Sequence, residues 1–260
     1  MYIHKILLVG CLGLFFVACS KKDEVKKTEI SYEMKNFKVE SAGGCKADSL
    51  SCAYYEVSYP VFNGLDTAVT RIIAREIDAS VAMGNPEAEG ETMKQIGEGF
   101  IRDFQEFKTE MEDQPMGWHY KGIVDVGVVT DTLLSLSVTE EYYTGGAHGG
   151  YGKYFINLRP GTGETFTLDN YLKSGFEQPV TKIAEGMFRK IRDLADTASL
   201  TENMFEFPEG QFVLNKNYGF TKDGVVFYYN SYEIASYAAG PTEVLVPYEA
   251  LKEWRREEGH

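Results

Sequence analysis

The fold is decided by an alternating stretch in the middle of the chain. Residues 118–158 read WHYKGIVDVGVVTDTLLSLSVTEEYYTGGAHGGYGKYFINL. Apolar side chains recur at every second position on both sides of Thr130-Asp131-Thr132, which is typical of half-buried β-strands joined by a turn. Residues 151–158 predict a third strand, ended by the turn-rich sequence 159–163. The stretch therefore predicts neighbouring antiparallel strands.

Amphipathic helices are predicted on both sides of this stretch. Within residues 63–84 and 93–111, apolar side chains are three and four positions apart, which places them on one face of a helix. Gly84 is positioned to end the first of these helices. A third apolar face runs from Val180 to Leu194, and Pro179 suits the first helical position. Core packing is the simplest role for all three faces.

Short runs of β-branched and aromatic residues predict further strands. These are a hairpin within 37–59, then Phe212-Val213, 225–229 after the Lys222-Asp223-Gly224 turn, and 242–246, with a short helix from Pro247 through Trp254. Strands and helices come in groups rather than in alternation, which favours an α+β fold with a mainly antiparallel sheet packed with helices. We expect two small subdomains, residues 37–115 and residues 116–260.

The N-terminus has the features of an exported lipoprotein. Lys5 and a short apolar run precede Val17-Ala18-Cys19, so residues 1–18 predict a signal peptide, and the site resembles a bacterial lipobox with Cys19 as the lipid-bearing residue. A plain secretory signal with an incidental Cys19 is the alternative. Residues 19–36 are predicted to be an acylated flexible tether. We expect a cell-envelope protein, anchored by lipid alone to the outer membrane and either periplasmic or surface-exposed.

The net charge narrows the choice of partners. The chain has 39 acidic and 26 basic residues, a formal charge of −13, which disfavours nucleic acid and favours a basic protein.

Cys45 and Cys52 are seven positions apart, and in an oxidising compartment they predict a small disulfide. A metal pair is the rival interpretation, but no further Cys or His lies nearby in the sequence.

The glycine-rich stretch at residues 140–150, EEYYTGGAHGG, is the first candidate binding segment. Its glycines allow positive φ and a close backbone approach to a ligand. The candidate binding residues are Glu141, Tyr143, Gly145, Gly146 and His148. The simpler alternative is a wide hairpin turn that His148 fixes by hydrogen bonds to the backbone.

No metal site and no cofactor are predicted. A metal ion could recruit His148, His119 and either Glu140 or Glu141, but no metal-binding motif spacing supports such a site. The glycine-rich stretch also lacks the Lys-Ser/Thr pair of a phosphate-binding P-loop. No catalytic residue is assigned.

The second candidate segment is residues 227–241, FYYNSYEIASYAAGP, with Tyr232 and Tyr237 as candidate binding residues. Exposed aromatic rings are suited to stacking on sugars or to anchoring a protein partner. Alternatively, the tyrosines are good strand formers that pack a sheet.

Two stretches together carry a family likeness. They are YYTGGAHGGYGKYFINLRPGTGETFTLDNYL at 142–172 and DGVVFYYNSYEIASYAAGPTEVLVPYEAL at 223–251. This sequence resembles the extracytoplasmic domain shared by RsiV-type lysozyme-sensing anti-sigma factors and the non-catalytic part of PdaC-type peptidoglycan deacetylases. Residues 57–77, VSYPVFNGLDTAVTRIIAREI, are similar to the smaller domain that precedes it. The resemblance implies an α+β module outside the cytoplasm that binds lysozyme in its sensor branch.

The residues and the resemblance lead to one preferred expectation. It is a cell-envelope lipoprotein that acts as a non-catalytic binding module for a muramidase-like protein or a cell-wall-related ligand such as a glycan. One alternative is a glycan or peptidoglycan hydrolase that uses His148 and a nearby carboxylate such as Glu141. Another is a structural envelope lipoprotein, which would expose a large apolar patch. The chain shows neither a sigma-binding segment nor a deacetylase motif, so anti-sigma and deacetylase activities are not expected.

Overall fold

A computed structural model of the chain describes residues 29–45, 52–83, 85–111 and 116–256. The predicted signal peptide, Cys19, the first part of the tether and the helix stop at Gly84 lie outside the described residues. Within the described ranges, no helix is long and apolar enough to cross a membrane.

Strands and helices follow one another in groups, as predicted. In chain order they are β1 (Ser31–Glu40), β2 (Ala53–Asn63), α1 (Thr67–Ser80), α2 (Met93–Glu110), β3 (Trp118–Val129), β4 (Leu134–Tyr143), β5 (Gly150–Leu158), α3 (Leu168–Tyr171), α4 (Glu177–Ile191), β6 (Tyr218–Phe220), β7 (Gly224–Tyr229), β8 (Thr242–Pro247) and α5 (Tyr248–Leu251). The predicted α+β fold is confirmed.

The strands form two sheets, one of them mixed. The larger sheet has the order β1-β2-β3-β4-β5 and the smaller has the order β6-β7-β8. Every neighbouring pair is antiparallel except β2 with β3, which is parallel. A parallel pair needs a long crossover, and α1 and α2 supply it here. The five-stranded sheet therefore joins strands from both sides of the predicted boundary at 115/116.

Three local predictions differ from the structure. Residues 31–36, assigned to the tether, belong to β1 and pair with Ser58–Asn63; β1 is a mostly exposed edge strand that needs backbone pairing rather than apolar side chains. Phe212-Val213 is not a strand; the Phe212 ring packs against the Phe188 ring. Helix α4 begins at Glu177, and Pro179 is tolerated because the first helical turn has unpaired N–H groups anyway.

Two apolar clusters form the core. In the first, α1 and α2 cover the inner face of the large sheet, where the stacked rings of Tyr55 and Tyr120 are fully buried. In the second, α4 packs on the small sheet, and Phe188 is surrounded by other aromatic rings. Those rings belong to Phe205, Phe207, Phe212 and Tyr229.

A buried polar link joins the two sheets. The Ser135 hydroxyl of β4 donates to Asn157 Oδ1 of β5 at 2.7 Å and accepts from the Phe220 backbone N–H of β6 at 2.9 Å. Gly127 lies at a bulge in β3, and a Cβ atom there would be only 2.6 Å from the Phe220 carbonyl oxygen. The small sheet can therefore approach β3 and β4 closely only with glycine at position 127.

Ser135→Ala tests the link between the sheets. The substitution leaves the Phe220 N–H and Asn157 Oδ1 without this buried partner, so we expect the free energy of unfolding to fall by about 1–3 kcal/mol. Urea denaturation measures the change. Ser137→Ala, on the same strand and more exposed, is the control and should stay within about 0.5 kcal/mol of the parent. Equal losses in both variants would contradict the assigned role of Ser135.

Cys45 and Cys52 both lie in the segment between β1 and β2. Their Cα atoms are 5.6 Å apart and the structure joins them as a disulfide. This Cα separation lies in the usual range for a disulfide. We expect the intact mass of a purified protein of residues 20–260 to rise on reduction by the mass of two hydrogen atoms. An unchanged mass, with two thiols already reactive toward alkylating reagent, would show that the pair is reduced.

Candidate functional site

Residues 144–149 of the glycine-rich stretch form the six-residue turn between β4 and β5. Gly145 and Gly146 have φ values of +102° and +93°, which side-chain-bearing residues rarely adopt. The Tyr143 hydroxyl donates to the Gly146 carbonyl oxygen at 2.9 Å. Tyr143 thus supports the turn from one side, and His148 projects from its other end with an exposed ring.

The structure brings the two candidate segments together. The His148 ring stacks on the Tyr237 ring, with ring centroids 4.7 Å apart and an angle of 19° between the ring planes. The Tyr237 and Tyr232 rings are tilted relative to each other, with centroids 5.4 Å apart. Tyr232 is 66% exposed and Tyr237 is 43% exposed. We call these three residues the aromatic strip. The sequence could not indicate that His148 meets residues more than eighty positions further along the chain.

Asn230 fixes the second segment to the edge of β5. Its Oδ1 accepts from the Lys153 backbone N–H at 2.9 Å and its Nδ2 donates to the Lys153 carbonyl oxygen at 3.1 Å. Asn217 Nδ2 donates to the same carbonyl oxygen at 2.8 Å. These amides pair with the edge strand as a neighbouring strand would, and so hold the start of the loop that carries Tyr232.

Arg192 holds the other end of that loop. Its guanidinium donates to the carbonyl oxygens of Ala239, Gly240 and Pro241 at 2.9, 3.2 and 3.1 Å. It also contacts the Thr242 hydroxyl. Arg192 could not be identified from the sequence, because a basic residue directly after an amphipathic helix looks like an ordinary surface charge. No local pattern connects Arg192 with residues 239–242.

His148 is bonded to backbone rather than to an acid. Its Nδ1 lies 3.0 Å from the Gly149 carbonyl oxygen; a carbonyl only accepts, so Nδ1 carries the proton and Nε2 is an acceptor in the neutral ring. Among the described residues, His148 forms no ion pair with a carboxylate. Glu141 instead faces His119, with Oε1 and Nε2 3.7 Å apart. The structure therefore does not assemble the His148–Glu141 pair of the hydrolase alternative.

Tyr143 and Glu141 lie on the outer face of the large sheet. Tyr54, His119 and Tyr143 occupy neighbouring positions on β2, β3 and β4. Their rings form a row with centroid separations of 5.7 and 6.2 Å. Tyr143 therefore belongs to this row and supports the turn, while its binding role stays a prediction.

Glu140 lies on the opposite face from Glu141, because successive strand residues alternate. It is 5% exposed, and its carboxylate accepts from the Tyr154 hydroxyl at 3.0 Å and the Tyr120 hydroxyl at 3.3 Å. Burial raises the pKa of the Glu140 carboxyl above its ordinary value of 4.5, although the tyrosine hydrogen bonds oppose this. The described residues contain no group of three metal-ligating side chains.

Comparison with known proteins identifies two families. Residues 169–249 match the family described as "Protein of unknown function (DUF3298)", and residues 46–151 match the family described as "Deacetylase PdaC". The two matches confirm the domain resemblance. No curated protein matches the chain at a significant level.

Two crystal structures share the fold. A DUF3298 family member from Bacteroides fragilis NCTC 9343 is 20% identical with a TM-score of 0.66, and the alignment covers 89% of this chain and 96% of that chain. A DUF3298 family protein from Pseudomonas aeruginosa PAO1 is 18% identical with a TM-score of 0.63, covering 88% and 96%. At these identities the likeness establishes a common architecture.

Glu140→Gln tests the buried carboxyl. A raised pKa means that the folded state binds a proton more tightly than the unfolded chain, so wild-type stability falls as pH rises above 4.5. The glutamine amide does not titrate, so the variant does not show this loss of stability. Each unit of pKa shift corresponds to about 1.4 kcal/mol of the free energy of unfolding. We expect the variant to gain stability relative to wild type as the pH rises above 4.5, measured by thermal unfolding at a series of pH values.

Glu141→Gln is the matched control, because Glu141 is the adjacent residue on the exposed face. Its stability relative to wild type should change less over the same pH range. A pH-independent difference between Glu140→Gln and wild type would contradict a buried titrating carboxyl at position 140.

Proposed function

We propose that this chain is a non-catalytic binding module of the cell envelope, and that the aromatic strip binds a muramidase-like protein. The observation that carries the proposal is the convergence of His148, Tyr237 and Tyr232 into one exposed group of neighbouring rings. The proposal includes the lipid anchor at Cys19 and the outer-membrane location that the N-terminal sequence favours.

Rigid, exposed aromatic side chains favour protein recognition. Tyrosine is enriched among residues that dominate binding energy, because a large ring buries much area while losing little conformational entropy. The loop that carries Tyr232 and Tyr237 is held at one end by Asn230 and at the other by Arg192. Part of the ordering cost of binding is therefore met before the partner arrives.

Net charge indicates the kind of partner. A formal charge of −13 attracts a basic protein over long range and speeds its association. Lysozyme-like muramidases fit this description, and the family resemblance points to the same class of partner.

A cell-wall glycan is the second candidate ligand. The neighbouring rings of Tyr232 and Tyr237 offer flat apolar faces next to polar hydroxyl groups, and sugars also combine apolar faces with hydroxyls. Binding of a neutral glycan would change little with salt, whereas binding of a basic protein would weaken, so ionic strength separates the two candidates.

Calorimetric titration of residues 20–260 with a c-type lysozyme tests the proposal. We expect binding that weakens at higher salt, and we expect Tyr237→Ala to weaken it by about ten-fold or more. Arg192→Gln should weaken binding to a smaller extent, because it acts only by releasing the loop. Tyr32→Ala is the control, since Tyr32 is 47% exposed and lies on edge strand β1.

The outcomes separate the candidate functions. Salt-insensitive binding of N-acetylglucosamine oligomers that is lost in Tyr237→Ala, with no lysozyme binding, would transfer the role to a glycan. Release of reducing sugar ends from peptidoglycan, abolished by His148→Ala, would favour the hydrolase. If neither lysozyme nor glycan binds, the aromatic strip is not a binding surface for these ligands.

A further inference from the structure

A cavity lies away from the aromatic strip. It has a volume of about 730 Å³ and opens where the end of β3, the β3–β4 turn, the segment after β5 and the β6–β7 turn meet the C-terminal segment. Phe166, Tyr171 and Tyr248 contribute aromatic side chains to its walls. This volume is in the range of small-molecule sites, and the cavity shares no residue with the aromatic strip.

The charge of this cavity is opposite to that of the whole chain. Arg159, Lys222, Arg255 and Arg256 line it, and none of the described lining residues is an Asp or Glu. Across the chain, acidic residues outnumber basic ones by 39 to 26. Asp223 lies close to one member of this group, with its Oδ2 3.6 Å from Lys222 Nζ. A cavity with four cationic side chains on an acidic protein is a marked local concentration of positive charge.

Two of these arginines have donors that the protein does not use. The half-buried Arg159 guanidinium lies over the Phe166 ring at 5.3 Å, and its side chain makes no hydrogen bond or ion pair with the described residues. Arg256 uses Nε, which donates to the Leu172 carbonyl oxygen at 2.8 Å, while its two terminal nitrogens have no acceptor in that part of the chain. A guanidinium group with unused N–H donors matches the geometry of carboxylate and phosphate oxygens, to which it can donate two hydrogen bonds.

The aromatic part of the wall is held in place. The Tyr248 hydroxyl donates to the Thr221 carbonyl oxygen at 2.7 Å, and the Tyr171 ring contacts both Tyr248 and Phe220. Fixed rings beside unused cationic donors suit a ligand with an apolar or hydroxyl-bearing body and an acidic group. Because the acidic surface repels large polyanions over long range, a small anion fits better than a polymer.

We infer that this cavity binds a saccharide-sized organic anion, whose carboxylate or phosphate pairs with Arg159 and Arg256 and whose body lies against the aromatic wall. The site goes beyond the proposed function, since it needs neither His148 nor the tyrosines of the strip. Lys222, at the rim, adds positive charge that attracts the anion.

Titration of the full chain with three matched sugars tests the site. Glucose, glucuronate and glucose 6-phosphate share one body and differ only at C6, which is part of a hydroxymethyl group, a carboxylate or a phosphorylated hydroxymethyl group, respectively. We expect at least one anionic sugar to bind about ten-fold or more tightly than glucose, because hydrogen bonds to a charged group are the stronger ones. The tighter of the two anions identifies the acidic group that the site prefers.

Charge-matched double variants locate the binding. Arg159→Gln with Lys222→Gln should weaken anion binding by about ten-fold or more. Arg71→Gln with Lys94→Gln removes the same charge from the exposed surfaces of α1 and α2 and should leave binding within about two-fold. If the first pair fails to fold, Lys222→Gln alone serves, because that side chain is 86% exposed.

Two results would overturn the inference: equal affinity for all three sugars, including no binding of any, or equal weakening in both double variants. Tyr237→Ala should leave anion binding unchanged, so failure of this site and failure of the proposed function are separately visible.

Discussion

The pairing of the Asn230 amide with the Lys153 backbone is the interaction on which the arrangement of the surface depends. It satisfies both polar groups of an edge-strand residue, which would otherwise be open to pairing with another chain. It also places the loop after β7 beside the turn after β4. The pairing thus helps to hold His148 and Tyr237, which lie on two separate loops, in one stack.

Below this surface, buried polar groups join the two sheets. Ser135 connects β4, β5 and β6 through hydrogen bonds to Asn157 and Phe220. Such links are directional, so they fix the position of the small sheet more narrowly than apolar contacts alone. The same junction gives the cationic cavity its walls, because β3, the β3–β4 turn and the β6–β7 turn meet there.

Local structure was largely predictable, and long-range placement was not. The apolar spacing within 93–111 predicted α2, and the alternation within 118–158 predicted β3, β4 and β5, because these periodicities follow from backbone geometry alone. The parallel pairing of β2 with β3 was not predictable, since it depends on how α1 and α2 pack on the sheet. At the site, the glycine turn was visible in the sequence, whereas the supporting roles of Arg192 and Asn230 were not.

The sequence by itself determined the α+β class, the main helices and strands, the acidic charge and the two segments that carry exposed aromatic residues. Each of these depends on composition or on near neighbours along the chain. The tertiary structure alone decided that His148 stacks on Tyr237, that Glu140 is buried while Glu141 faces His119, and that four cationic side chains share one cavity. These features are either contacts between residues distant in sequence or the assignment of neighbouring residues to the buried or the exposed face of a sheet. Only the packing of the whole chain determines them.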